Sequence, residues 1–252
     1  MPAELRPAEL TALAERQLAE LTARFDRSAP IGPTDNLAVA HGWAGMLYAA
    51  LQWCRTTGTE PPAGVERRLV ELAALAEPAG RGVRWPWLTG GGKRVGYMPG
   101  WCNGSAGFVF LWTLAWRTFG SERFLDLATG AAWDAWEAPD RVGSLCCGLV
   151  GRAYALLNLH RHTGERVWLA RARDLAVRAA REESFSERFP HSLYKGDLGL
   201  AVLAADLERP EEAAMPFFEE ERWSDATEPA GARSEDRRGA DPTPGRDGAG
   251  PG

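Results

Sequence analysis

Three cysteines, Cys102, Cys146 and Cys147, each stand one or two residues before a glycine that opens an apolar stretch. Zinc takes tetrahedral nitrogen or sulfur ligands, and a catalytic zinc keeps one of its four positions open for water or substrate. Three thiolates brought together would supply that arrangement. Taken singly, each is equally well read as a small buried hydrophobe. Position argues for the metal. The cysteines fall within four recurrences of x-G-x-x-G, namely His41-Gly42-Trp43-Ala44-Gly45, Asn103-Gly104-Ser105-Ala106-Gly107, Cys147-Gly148-Leu149-Val150-Gly151 and Lys195-Gly196-Asp197-Leu198-Gly199. The first glycines, at 42, 104, 148 and 196, are 62, 44 and 48 residues apart, a period that fits one helix pair plus connections. If each repeat delivers an inner helix to a common centre, His41, Cys102 with Asn103, Cys146 with Cys147, and Lys195 line one end of it.

The elements that must hold these turns follow from hydrophobic patterning. Residues 3 to 25 place Leu5, Leu10, Leu13, Leu18, Leu21 and Phe25 on one helical stripe, which predicts an outer amphipathic helix. Trp43 to Cys54 is apolar on nearly all sides, as a buried inner helix is, and Val65 to Leu75 is its outer partner. Ser105 to Phe119 with Glu122 to Trp136, and Leu149 to Thr163 with Val167 to Arg181, repeat the pairing; Leu198 to Leu207 begins a fourth inner helix, stopped by Arg209-Pro210. Pro78 to Gly100 reads as the longest irregular connection, rich in Gly and Trp and of a kind that carries function. Alternating inner and outer helices predict an all-α fold, an α/α toroid or part of one, over residues 1–223. The glycines are expected to let opposing inner helices begin close together and to tolerate positive φ. Residues 224–252 contain no aromatic residue and are dominated by Gly, Pro, Ala and charge, which predicts a disordered tail.

Bulk composition limits the partners. The 252 residues carry a formal net charge of −5 and 45% hydrophobic residues with 11 Trp, enough for a sizeable core and without a basic block suited to nucleic acid or an anionic membrane. No apolar run is long enough to span a bilayer, and the N-terminal segment mixes Glu and Arg with Leu and Ala, unlike an export signal. Four cysteines without such a signal read as thiols or metal ligands in a cytoplasmic protein. Cys54, at the far end of its apolar helix, reads as core.

Four motifs in order resemble those of LanC-type lanthionine cyclases and the cyclase domains of lanthipeptide synthetases: Ala40-His41-Gly42-Trp43-Ala44-Gly45, Gly100-Trp101-Cys102-Asn103-Gly104, Leu145-Cys146-Cys147-Gly148 and Ser192-Leu193-Tyr194-Lys195-Gly196. The resemblance covers about residues 36 to 219. It implies an α/α toroid of helical hairpins with zinc held by Cys102, Cys146 and Cys147, the last a Cys where most of the family has His. The implied reaction adds a Cys thiolate of a dehydrated precursor peptide to dehydroalanine or dehydrobutyrine and protonates the resulting enolate, forming a thioether. His41 matches the family's Ala-His-Gly motif and is the candidate general acid, its alternative role being to cap the inner helix. Asn103 is placed to donate to a metal-bound sulfur or the enolate oxygen.

The resemblance also departs from the family. Four inner-helix starts stand where the family has seven hairpins, and Met98 occupies the place of an arginine that the family carries before its Trp-Cys motif. A partial toroid would expose the apolar sides of its end helices, which implies a second chain supplying the missing hairpins, or a fragment that binds zinc or peptide without turnover. A third reading is a LanC-like protein that adds glutathione or another small thiol to dehydroamino acids. Lys195 is expected to meet a peptide carboxylate or a surface partner. Lys93 and Arg94 read as solvated charge, and His160 and His162 as exposed residues favoured by a helix C-terminus.

Overall fold

Each of the first three repeats becomes a helical hairpin, and the fourth contributes one helix among the described residues. The computed structural model describes residues 8–32, 34–88, 94–139, 142–181 and 189–219. The expected tail at 224–252, residues 3–7 of the expected first helix, Gly90-Gly91-Gly92 and Lys93 lie outside them. The helices are α1 (Ala8–Phe25), α2 (Trp43–Thr57), α3 (Gly64–Ala73), α4 (Ser105–Phe119), α5 (Glu122–Glu137), α6 (Leu149–Thr163), α7 (Arg166–Arg181) and α8 (Leu198–Asp206). Every residue of α4 from Ser105 to Ala115 and of α6 from Leu149 to His160 is buried, so both are inner helices enclosed on every side, α6 with Arg152, Asn158 and His160 among its buried residues. Their outer partners bury one stripe each, Phe124, Ala128, Ala131, Ala132 and Ala135 on α5 and Trp168, Ala172, Leu175, Ala176 and Ala179 on α7. Helix α4 lies centrally, packed on α2, α5 and α6. The result is a partial α/α toroid. No helix among the described residues is long and apolar enough to cross a membrane.

The two ends of the arc look different from its middle. On α1, Leu10 and Leu13 are exposed, and α8 buries only Gly199 and Leu203 while Leu198 faces outward. The expected apolar exposure of the end helices is therefore present at both ends.

The segment expected to be irregular contains two short antiparallel hairpins, β1 (Glu77–Ala79) with β2 (Gly82–Arg84) and β3 (Trp87–Leu88) with β4 (Arg94–Gly96). The first is fixed by Gly80 in the left-handed region and by packing of β2 on α5, where a side chain at Gly82 would run into the Gly130 carbonyl. Arg81 holds the same hairpin to α5 by an ion pair with Glu137 and by lying over Trp133 at 3.6 Å from the ring centroid. These hairpins account for the longer first repeat. Between them Trp85 is fully buried, stacks on Phe108 of α4 at 4.1 Å and donates from Nε1 to the Leu72 carbonyl at 2.9 Å.

The second glycines of the x-G-x-x-G motifs lie against the neighbouring repeat as expected, Gly107 facing Val39 and Gly199 facing Leu145, but the first glycines do not supply the expected positive φ. At the first glycine φ is −148° for Gly42, −141° for Gly104 and −118° for Gly148, so positive φ is not what they supply. A Cβ at Gly42, Gly104, Gly148 or Gly196 would sit well inside van der Waals contact of the carbonyl oxygen six residues earlier, that of Asn36, Met98, Val142 or Pro190. The same carbonyls accept from the next residue's N–H: Trp43 to Asn36 at 2.9 Å, Ser105 to Met98 at 3.1 Å, Leu149 to Val142 at 3.0 Å and Asp197 to Pro190 at 2.8 Å. The incoming loop thus satisfies N–H groups that the start of a helix leaves without intrahelical partners. No side-chain cap is made at α2, α4, α6 or α8. Glycine is needed because loop backbone must lie against helix backbone.

This role separates two kinds of glycine. Gly148→Ala should destabilise the chain by at least about 2 kcal/mol, because backbone must move. Gly164→Ala should cost only about 1 kcal/mol, since that position has φ +75° but nothing within 4 Å of an added Cβ. Urea denaturation of the two variants measures the order, and equal losses would contradict the capping role.

Candidate metal centre

The four glycine turns are joined by backbone hydrogen bonds between residues of equivalent position. The N–H of Ala40 donates to the Cys102 carbonyl at 3.0 Å, that of Cys102 to Cys146 at 3.2 Å, and that of Cys146 to Tyr194 at 2.9 Å. Each of these residues stands two before the first glycine of its repeat, so the relay sets the side chains at that position and the next side by side. Cys102 comes from the turn before α4, Cys146 and Cys147 from the turn before α6, and Lys195 from the turn before α8.

The thiols converge. Cys102 Sγ lies 3.4 Å from Cys147 Sγ, and Cys147 Sγ lies 3.5 Å from Cys146 Sγ. All three sulfur atoms are within 4.8 Å of one another, and none is in a disulfide. Zinc–sulfur bonds of about 2.3 Å in a tetrahedron place sulfurs about 3.8 Å apart, so the donor set fits zinc with little adjustment. Among the described residues this is the one group of three or more His, Cys, Asp or Glu side chains placed to hold a metal. Cys54 is buried apart from it and donates to the Glu60 carbonyl at 3.6 Å.

The cluster concentrates negative charge on Cys147. Hydrogen bonds from Cys102 and Cys146, reinforced by the Lys195 ammonium, hold the Cys147 pKa down to about 2. Hydrogen bonding to Cys146 and Cys147, together with burial, raises that of Cys102. Lys195 Nζ donates to Cys147 Sγ at 3.5 Å. Burial works against the ammonium, but the Cys146 and Cys147 sulfurs outweigh it and its pKa is raised. Asn103 Nδ2 donates to Cys102 Sγ at 3.6 Å, which leaves its buried Oδ1 without a hydrogen-bond partner. Behind the turn, Ser105 Oγ donates to Asp134 Oδ2 at 2.5 Å and ties the start of α4 to α5.

The other residues of interest fall in different places. His41 is exposed in the turn before α2, beside the Ala40–Cys102 bond, and is not a member of the thiol cluster. It lines an open cleft with Asn36, Trp43 and Arg24. Lys195 reaches a cysteine, an arrangement that the expected carboxylate or surface partner did not foresee. Its equivalence in repeat position to Cys147 was the available signal. His160 and His162 are not the exposed residues expected: His160 is buried, with Nδ1 3.0 Å from the Glu165 carbonyl, and His162 is partly buried. A narrow cleft of about 190 Å³ runs beside Cys147, lined by Tyr97, Met98, Pro99, Pro139 and Val142.

Comparison with known proteins identifies the fold and the family. The lanthionine synthetase C-like protein family matches residues 9–220. The chain is 26% identical over 189 residues to a Danio rerio protein named glutathione S-transferase LANCL1, covering 73% of this chain and 45% of that protein. It is 31% identical over 190 residues to LanC-like protein GCL1 of Arabidopsis thaliana, covering 71% and 42% respectively. Among solved structures, nisin cyclase shares the fold with a TM-score of 0.57 at 15% identity, over 69% of this chain and 46% of that one. The chain spans about half the length of the relatives it matches. The extent of the family match and the order of its glycine turns together establish that the chain belongs to the lanthionine synthetase C-like family.

Proposed function

We propose that the chain is a zinc-dependent cyclase-like protein that adds a peptide cysteine thiolate to dehydroalanine or dehydrobutyrine, forming a thioether. The observation that carries this reading is the convergence of Cys102, Cys146 and Cys147 from turns of two consecutive repeats. Three sulfur ligands leave one tetrahedral position for an incoming thiol, and zinc bound there would keep that thiol ionised at neutral pH.

The chain's own residues then have defined tasks. Asn103 donates to the Cys102 sulfur and fixes its orientation. Three thiolates on a divalent cation leave one negative charge, and the Lys195 ammonium against Cys147 offsets it. As the new sulfur–carbon bond forms at the β-carbon, the electron pair of the double bond moves to the carbonyl as an enolate. His41 delivers a proton to the α-carbon. The precursor peptide is the partner implied.

A second reading has one observation in its favour. The Danio rerio relative carries the name glutathione S-transferase, which supports glutathione as the thiol supplied to the same centre. Offering glutathione and a cysteine-containing peptide to the same dehydrated peptide distinguishes the two.

Two outcomes are expected. Purified protein reconstituted at neutral pH should hold about one zinc per chain, Cys147→Ala should lose most of it, and His41→Asn should keep it while slowing thioether formation about 100-fold. Metal analysis and mass spectrometry with thiol alkylation measure both. Zinc retained in full by Cys147→Ala refutes the ligand set, and an unslowed His41→Asn refutes the acid.

The second concerns the metal-free protein. Cys147, whose pKa is depressed to about 2, should be alkylated at a rate nearly independent of pH from 6 to 8, since it is already ionised throughout that window. Lys195→Met removes a charge that contributes less than the two neighbouring thiols, so the Cys147 pKa should rise but stay below that window, and alkylation should remain nearly independent of pH from 6 to 8. Peptide mapping of the labelled cysteines reads this directly.

A further inference from the structure

The three sulfurs that converge at the glycine turns are closer together than four-coordinate zinc requires. Cys102 Sγ and Cys147 Sγ are 3.4 Å apart, and Cys147 Sγ and Cys146 Sγ 3.5 Å, against about 3.8 Å in a zinc tetrahedron. A three-coordinate pyramidal centre has narrower angles, because a lone pair fills the fourth direction, and so draws its ligands nearer to one another at a similar bond length. Trivalent arsenic bonded to three sulfurs is a centre of this shape.

The donor set and its surroundings suit the same ion. Among the described residues no His, Asp or Glu joins the cluster, so a centre formed there meets sulfur alone, and thiolates select soft ions. The sulfurs are also in place beforehand. The Cys102 N–H donates to the Cys146 carbonyl at 3.2 Å, and both turns are held by the starts of buried helices, so little ordering remains to be done on binding. Cys102 and Cys146 are buried while Cys147 is half-buried, which gives a ligand one way in and then shields from water the bonds it makes.

We propose that Cys102, Cys146 and Cys147 bind trivalent arsenic, taken up from arsenous acid, as one tris-thiolate. Each sulfur displaces one hydroxyl, so three arsenic–sulfur bonds form, three arsenic–oxygen bonds break and three waters leave. Two of these waters carry away the protons of Cys102 and Cys146, and the third takes its proton from solvent, since the Cys147 sulfur is already ionised. Arsenic stays trivalent, and no oxidant or reductant takes part. The product is neutral. Lys195 Nζ, which donates to Cys147 Sγ at 3.5 Å, then turns to water, as its exposed position allows. With all three sulfurs committed and a lone pair in the fourth direction, no position is left for an incoming thiol, so arsenous acid also blocks the centre.

Arsenite added to the full chain as purified, with a zinc chelator present to take up any metal released, tests this by native mass spectrometry. The reductant is a phosphine, so that no other thiol competes. One adduct per chain is expected, its mass raised by one arsenic less three hydrogens and containing no zinc. Cys102→Ser keeps the adjacent pair Cys146 and Cys147; it should bind about 100-fold more weakly, for loss of one tethered ligand, and its adduct should retain one hydroxyl on arsenic. Cys54→Ala, at a thiol that lies apart, should bind as the parent does. No adduct, a parent adduct that retains a hydroxyl, or an affinity unchanged by Cys102→Ser overturns the proposal. The mass of the parent adduct decides without reference to any variant. Neither zinc uptake nor thioether formation enters these readings, so a chain that takes arsenic but not zinc, or zinc but not arsenic, separates this inference from the proposed reaction.

Discussion

The backbone relay from Ala40 through Cys102 and Cys146 to Tyr194 is the constraint on which the rest of the molecule depends. It joins the four turns at equivalent positions using only main-chain groups, and so places no demand on side-chain identity. Alanine, two cysteines and tyrosine all serve. The side chains at that position and the next are thereby left to carry chemistry while their relative placement stays fixed. A site assembled from residues distant in sequence gains its rigidity this way, because the turns are held by the starts of buried helices and not by flexible loops.

The same turns resolve a problem of hydrogen bonding. An inner helix that starts inside a barrel leaves N–H groups that water cannot reach, and side-chain caps would fill the space the site requires. Here the incoming loop doubles back and offers its own carbonyls, an approach that only glycine permits. Buried arginines perform the opposite task at outer-helix C-termini. Arg152, on α6, donates to the carbonyls of Ala135, Trp136 and Ala138 at the end of α5, and Arg68, on α3, donates to those of Phe25, Arg27 and Ala29 after α1. Both are full charges in the interior, and their value lies in satisfying several carbonyls at once.

Electrostatics divides the barrel by the direction of its inner helices. At the N-terminal end, three sulfurs gather beside the Lys195 ammonium; at the C-terminal end stand the last-turn arginines Arg55, Arg117 and Arg161, with the Glu219 carboxylate buried against Arg161. Between them lies a layer of packed aromatic and aliphatic side chains, including Phe108, Phe110 and Trp112 of α4. The two ends therefore sense different charges through the same set of helices, each arranged by a repeat-equivalent position.

Much of this was legible in the sequence because the signals are local. Helices α4 and α6 run over the residues that their apolar surface and flanking glycines mark out, Ser105–Phe119 and Leu149–Thr163, and the period of the glycine turns announces that Cys102, Cys146 and Cys147 occupy equivalent places. Contacts across repeats were not legible. Sequence does not reveal that each glycine makes room for a carbonyl six residues back, that the connection at 77–96 folds into two hairpins against α5, or that His160 is buried. Nor does it show that Lys195 reaches Cys147. Those features depend on how neighbouring turns and helix ends approach one another, a distance of a few ångströms set by packing and backbone hydrogen bonding. Residue types and spacing named the groups; the tertiary structure decided which of them touch.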